Sequence, residues 1–451
     1  MPSTLKQYVL DRQKSCQEGY EAFTKMGAWD GFYKTLSSLY PDNAHFVYEL
    51  LQNAEDAKAS KVKFELLDGS LIFKHNGSKD FSEKDIESIT NVGSSSKMDD
   101  TNTIGKFGVG FKSVFAYTTA PKIYSKTIDF EIEHLFIPSL IEHITVEDGY
   151  TTKFIFPFDR EDKSKVDAFI EVKALFDEIS DNVLLFLTNI QTIKWQVANA
   201  TTHQITKLES NELIEINNTQ KGISHWLVFR DQIEFDNKSL MVSVAYSYNK
   251  EKNEIKPING NVSIFFPAKK ETSKLKFHID APFASTVARD SIKDSVDNDH
   301  LMINITNLCR KSIHKIKEKD LLSMSYFEVL PNKDDELEKF YQPILDGFLE
   351  EFNLRENLLI PLDNGSFGGV NSSIYCSSIV RDTFKDQNDI YHLFNNENIL
   401  GFGKYPLKNS RSHKFLAGLD EMDEYENSDV FNSLYDISKK ISNSNLNDEK
   451  D

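Results

Sequence analysis

Ile104-Gly105-Lys106-Phe107-Gly108-Val109-Gly110-Phe111-Lys112 sets three glycines inside an apolar run. Without a Cβ, glycines at this spacing let the backbone turn tightly and bring several N–H groups against one anion. Phe111 to Tyr117 reads as the start of a helix whose N-terminal dipole faces the same anion. The loop is therefore expected to cradle phosphate. A Gly-x-x-Gly-x-Gly turn is common, so the reading needs a second motif to support it.

That motif lies upstream. Asp42 is a good N-cap and Ala44 to Ala57 reads as a helix, with Phe46, Val47, Leu50, Leu51 and Ala54 as its apolar stripe. Glu49, Asn53 and Asp56 stand at i, i+4 and i+7, which at about 100° per residue puts them on one narrow face. A solvated face is the plainer explanation of that spacing. The alternative is a site, with Glu49 as general base for a water, Asn53 as oxygen ligand to Mg²⁺ and Asp56 supporting it. A carboxamide is a hard neutral ligand, suited to an ion that keeps most of its waters.

Lys61 to Leu66 and Ser70 to Lys74 alternate as strands about an Asp68-Gly69 turn. His75-Asn76-Gly77 ends the second strand, and Ser82 to Asp85 forms a loose capping box for a short helix. Asn91 to Thr103, with Gly93 and three serines, is too long for a plain turn and reads as a lid.

Taken together, Glu49-Leu50-Leu51-Gln52-Asn53-Ala54-Glu55-Asp56-Ala57, His75-Asn76-Gly77 and Gly105 to Phe111 resemble, in order and spacing, the Bergerat ATPase fold. That superfamily includes DNA gyrase, the ninety-kilodalton heat-shock chaperones, histidine kinases and MutL. Gly149 to Phe156 resembles the strand whose threonine, here Thr152, lies beside adenine. The chaperone and sacsin-like branch is the most similar, from Ile104 to Val114, the Gly93-Ser94-Ser95-Ser96-Lys97 lid and the His-Asn-Gly variant. The likeness covers residues 20–158. It implies ATP and Mg²⁺ as cofactors, held by Asn53, Asp56, Ala57, His75, Asn76, Gly77, Ser95, Lys97, Gly105, Lys106, Phe107, Gly108, Val109, Gly110, Phe111 and Thr152. One departure stands out. The superfamily's second motif reads Asp-x-Gly-x-Gly, and here His75 replaces the aspartate while Lys79 replaces the second glycine. A neutral imidazole accepts one hydrogen bond but offers no carboxylate. Asn76 or Asp80 is the alternative partner for the adenine amine.

The remainder is read more coarsely. Residues 1–160 are expected to form the ATP-binding domain and 161–299 a sheet-rich, transducer-like middle domain, with helices at 163–179 and 182–189 and strands between 192 and 266. A helical and mixed region at 300–418 follows, then an acidic, partly disordered tail at 419–451 in which Val430, Phe431, Leu434, Tyr435 and Ile437 are expected to form one short amphipathic helix. The fold class is thus α+β, a Bergerat α/β sandwich followed by a mixed, sheet-rich domain. Ala288-Arg289-Asp290 resembles the chaperone middle-domain loop whose arginine reaches the γ-phosphate. This gives Arg289 a catalytic role beside Glu49; a surface pairing with Asp290 or Asp294 is the alternative.

With 451 residues the chain exceeds one compact core, and its 39% hydrophobic and 27% charged content is ordinary. A net charge of −18 argues against a surface that is basic throughout, though a local patch that meets DNA stays open. Cys16, Cys309 and Cys376 are far apart and read as reduced thiols of a cytoplasmic protein. No run is long and apolar enough for a bilayer span, so no membrane partner is expected. Residues 1–40 hold no histidine, which disfavours a histidine kinase. Acidity and the lack of a DNA-cleaving segment disfavour a MutL or topoisomerase role.

The functional expectation is a slow Mg²⁺-dependent ATPase that couples nucleotide binding and lid closure to conformational change or to homodimerisation through the ATPase domain, acting on a client or partner protein. The alternative is a nucleotide-sensing subunit of a larger complex, for example in bacterial anti-phage (antiviral) defence beside a nuclease or helicase.

Overall fold

A computed structural model of the chain describes residues 4–38, 45–91, 110–235, 238–286, 291–376, 378–384, 393, 399–404, 406–420, 423–425 and 427–448. The architecture is α+β, helices with one large mixed sheet. Two compact units form, Met1–Ser243 with Val262–Glu271 and Asp280–Ser295, and Val244–Asn261 with Thr272–Ile279 and Val296–Asp451.

In the first unit, helix α1 (Leu5–Lys25) starts where Thr4 accepts from Gln7 N–H, and α2 (Trp29–Ser38) follows. Next come α3 (His45–Asp56), the hairpin β1 (Lys61–Leu67) and β2 (Ser70–His75), and α4 (Glu83–Thr90). The Ser82–Asp85 capping box is present in full and satisfies orphan N–H groups at the start of α4. The Phe111–Tyr117 stretch forms a 3₁₀ turn, Gly110–Ala116, in place of the expected α-helix. Valine and aromatic residues crowd it, and its Ser113 hydroxyl bonds back to Gly110 C=O at 2.6 Å.

Strands β3 (Lys122–Ser125), β4 (Asp129–Glu133), β5 (Ile137–Leu140) and β6 (Thr152–Pro157) come next, then helix α5 (Lys165–Asp177). Strands β7 (Thr192–Val197), β8 (His203–Ser210), β9 (Leu213–Asn218) and β10 (Gly222–Phe235) complete the set. Their order in the sheet is β10-β9-β8-β7-β1-β2-β6-β3-β4-β5. Neighbours run antiparallel except β1 and β7, which are parallel and register Phe64 with Trp195. Period-two alternation sends Val62, Phe64, Leu66, Leu71, Phe73, Phe154, Phe156, Ile193 and Trp195 to one buried face. α5 covers part of that face, with Phe176 and Phe64 ring centroids 5.5 Å apart.

The second unit packs α6 (Val296–Glu318) on the helix Gln342–Asn353. Tyr246 is buried between Phe277 and Tyr326, and its hydroxyl meets Ser312 Oγ at 3.0 Å. Past residue 418 the helix that Val430, Phe431, Leu434, Tyr435 and Ile437 suggest is present and longer than expected. Strand Asp423–Tyr425 pairs in parallel with Ser373–Cys376, and a 22-residue helix spans Asn427–Asp448. Val430 anchors that helix among Ile374, Cys376, Val380 and Ile399, a partner set no local pattern announces. The three cysteines are buried free thiols.

Candidate functional site

Helix α3 buries Phe46, Val47, Leu50, Leu51 and Ala54 and leaves Glu49, Asn53 and Asp56 half-buried, as the periodicity predicts. The Glu49 carboxylate lies on the backbone of Gly110. A Cβ added there would meet Glu49 Oε2 at 1.9 Å and Cδ at 2.4 Å. Glycine leaves the carboxylate free to approach the main chain this closely, and a side chain there would make Glu49 shift. The end of the glycine loop and the polar face of α3 are thereby brought together. Phe111 is buried, with ring centroids 6.1 Å from Phe154 and 6.4 Å from Phe156. Its side chain is core, and what it can offer a ligand is main chain.

The other wall is the end of β2. His75 pairs in register with Thr152 on β6, and Thr152 pairs with Ser125 on β3. His75 is buried, and that burial pushes its pKa down to about 4, so the ring is neutral at pH 7. Its Nδ1 accepts the Gly77 N–H at 3.1 Å, which assigns the ring proton to Nε2. His75 is therefore a donor at its second nitrogen. Gly77 has no room for a side chain, since a Cβ would lie 2.8 Å from both Ala57 Cβ and Ala57 O. Its carbonyl accepts from Thr151 Oγ1 at 2.7 Å, and Thr151 N–H donates to His75 C=O at 2.9 Å. Ala57, His75, Gly77 and Thr152 form one locked patch.

Asn76 points elsewhere. Its Oδ1 accepts from Ser60 N–H at 2.9 Å and Lys61 N–H at 2.8 Å, while its Nδ2 donates to Ser60 Oγ at 2.9 Å. The carboxamide fixes the start of β1, and its oxygen is already committed to two donors, so it does not replace the missing aspartate. Asp80 is exposed. Ser95, Lys97, Gly105, Lys106, Phe107, Gly108, Val109 and Arg289 lie outside the described residues, as does nearly all of the 91–103 lid.

Two residues escaped the sequence reading. Glu55 is buried and its carboxylate accepts four N–H bonds: Oε1 from Thr188 N at 2.8 Å, Asn189 N at 2.7 Å and Asn189 Nδ2 at 2.9 Å, and Oε2 from Ile190 N at 2.9 Å. The available signal was an acid four residues after Leu51, on the apolar stripe of α3. Lys112 is the second. It is buried, its Nζ donates to Ile89 C=O at 2.5 Å and to Leu135 C=O, and burial pulls its pKa down to about 7. Arg12 on α1 adds bonds to Thr90 Oγ1 at 3.2 Å and to Asn91 Oδ1. These cations tie Gly110–Ala116 and α1 to the end of α4, at the two edges of the 92–109 segment.

Residues 67–140 match the family model for the Sacsin domain. The chain is 34% identical to human (Homo sapiens) sacsin over 112 residues, which is 21% of this chain and 2% of that protein. Over those residues it is similar to sacsin. It is also 24% identical over 307 residues to Protein NO VEIN of Arabidopsis thaliana, covering 60% of this chain and 11% of that one. These likenesses support a sacsin-like family, while the chain spans only a small part of either relative. A solved structure, the N-terminal domain of a DNA repair protein, aligns with 59% of this chain and 93% of its own at 11% identity. Its TM-score of 0.35 is too low to carry an argument. No helix among the described residues is long and apolar enough to cross a membrane.

Proposed function

We propose that the patch between α3, the Gly110 turn and the β2 end binds ATP with Mg²⁺, and that the chain is a slow ATPase of the Bergerat type. The observation that carries this reading is the contact of the Glu49 carboxylate with Gly110, because it sets a general base beside the loop expected to hold phosphate. The residues fit the two absent groups. Gly110 presents main chain against the Glu49 carboxylate, and Asn53 offers a neutral oxygen on the Glu49 face. Among the described residues no three His, Cys, Asp or Glu side chains gather as a metal cluster. The chain's share of a Mg²⁺ site is then the Asn53 carboxamide, which suits an ion otherwise held by water and phosphate. When bound, Mg²⁺ supplies positive charge to the phosphates. Glu49 orients a water and takes its proton, Thr152 and His75 face the base, and backbone N–H groups at Gly110 and Phe111 close the phosphate end. Arg289 enters on its sequence context alone, as a charge donor to the reacting phosphate. Homodimerisation on nucleotide binding, a client or partner protein, and a cytoplasmic setting belong to the same proposal.

Glu49→Ala tests it. The variant is expected to bind ATP with Mg²⁺ as the parent does in calorimetry, and to lose phosphate release by at least a hundredfold. Unchanged release sinks the assignment of the base, and absence of nucleotide binding in the parent sinks the site.

A further inference from the structure

The sheet of the first unit has a second face, turned away from its core. The strand register sets Lys194, Lys63, Lys74 and Lys153 side by side on β7, β1, β2 and β6. Directly paired residues project from the same face. At strand spacing the four form a row roughly 14 Å long. Like charges placed directly opposite one another cost stability, and this chain carries a net charge of −18, so such a row calls for a cause. Two carboxylates reach it. Glu65 meets Lys63 at 2.6 Å and Lys74 at 2.7 Å, and Glu147 meets Lys74 at 2.6 Å. Among the described residues neither Lys153 nor Lys194 has a carboxylate within 4.0 Å.

The neighbouring row on this face is mixed, running Gln196, Glu65, Ile72, Ile155 and Lys122 across the same strands. Ile72 and Ile155 pair with each other one row along, both half-buried, and Tyr124 continues the lysine row beside Lys153. Lys61 stands over the Tyr150 ring at 4.8 Å. The row ends at Asp129, whose carboxylate is taken up by Ser125 N–H and His143.

We propose that this face binds single-stranded nucleic acid, with the phosphodiester backbone along Lys194, Lys63 and Lys153, past the buried and ion-paired Lys74, and the bases against Ile72 and Ile155. A strand carries one negative charge per nucleotide, so three successive phosphates meet Lys194, Lys63 and Lys153. An acidic protein surface has no such regular spacing. A duplex hides its base faces in the stack and its base edges in grooves that a flat sheet does not enter. The proposal stands whether or not the ATP reading does.

The test is fluorescence anisotropy of the full chain with a labelled thymidine oligonucleotide of about 20 nucleotides, titrated over salt. A log K against log salt slope of about −2 is expected from three phosphates. The double variant Lys153→Glu, Lys194→Glu is expected to lose at least tenfold in affinity and to flatten that slope by about 1.4, with its thermal midpoint unchanged. No salt-sensitive binding at low salt, or binding indifferent to the double variant, overturns the proposal. Equal or tighter binding of a matched duplex overturns the single-strand assignment, and retention on poly-glutamate or anionic vesicles without oligonucleotide binding points to another partner and overturns it too.

Discussion

His75 closes β2 as a neutral imidazole with its proton on Nε2, because Gly77 N–H occupies Nδ1 and burial excludes the charged form. Where the Bergerat pattern offers a carboxylate acceptor, this residue offers a donor. An adenine amine is itself a donor, so the pair lacks the usual complement. On the ATP reading, His75→Asp is expected to tighten ATP binding by about tenfold in calorimetry, on the order of one charge-assisted hydrogen bond. It is also expected to weaken folding by burying a carboxylate. Unchanged ATP affinity would show that His75 serves the strand end alone. At this scale Glu49, Asn53 and Asp56 were legible, since their spacing alone fixes a common helix face. The task of Asn76 was not legible, because its partners at Ser60 and Lys61 become neighbours only when β1 and β2 pair.

At the scale of elements, α3 is held from two sides. Glu55 caps the 188–190 segment with both carboxylate oxygens, and Tyr48 packs on Phe266 with ring centroids 5.0 Å apart. Phe265 has a positive φ of 69°, and its N–H donates to the buried Asp280 at 2.9 Å. The Phe265–Phe266 segment thus links the buried Asp280 to the helix that carries Glu49. Glu55→Ala would strand four donors, three of them backbone, in a buried pocket. It is expected to lower stability by about 3–5 kcal/mol in urea unfolding, with Glu55→Gln retaining part of that. A loss below 1 kcal/mol would mean the 188–190 segment finds other acceptors. The sequence announced α3 and the strands after residue 192, but not this clamp, since an acid on an apolar stripe reads as a surface residue until its donors are known.

At the scale of the whole molecule, His75, His278 and Asp280 are buried groups of the described residues that shape the response to pH between 6.5 and 5. His75 and His278 both fall to about 4, each through burial, and each accepts a backbone N–H at Nδ1, His278 from Asn261 at 2.8 Å. A histidine whose folded pKa is depressed contributes stability above its unfolded value near 6.5 and loses it as pH falls toward 4, about 1.4 kcal/mol per pH unit. Asp280 runs the other way. Burial raises it to about 7, so its contribution is complete below its unfolded pKa and lost as pH rises through 7. Two groups against one leave a net loss of roughly 1.4 kcal/mol per unit between pH 6.5 and 5, above the range of the paired carboxylates. Asp280→Asn is expected to steepen that loss and His75→Asn to flatten it, read from urea midpoints at pH 6.5 and 5. A flat profile in the parent would contradict the neutral burial of the histidines.

By itself the sequence determined the α+β class, the β1–β2 hairpin, the α4 capping box and the polar face of α3. Each is set by neighbours within about seven residues, through helical or strand periodicity and local capping. Tertiary structure decided the rest. The contact of Glu49 with Gly110, the four donors on Glu55, the carbonyls around Lys112 and the alignment of four lysines across β7, β1, β2 and β6 depend on strand order and on pairings tens of residues apart. Gly110 likewise meets a partner far away in the chain, the carboxylate of Glu49 sixty-one residues earlier.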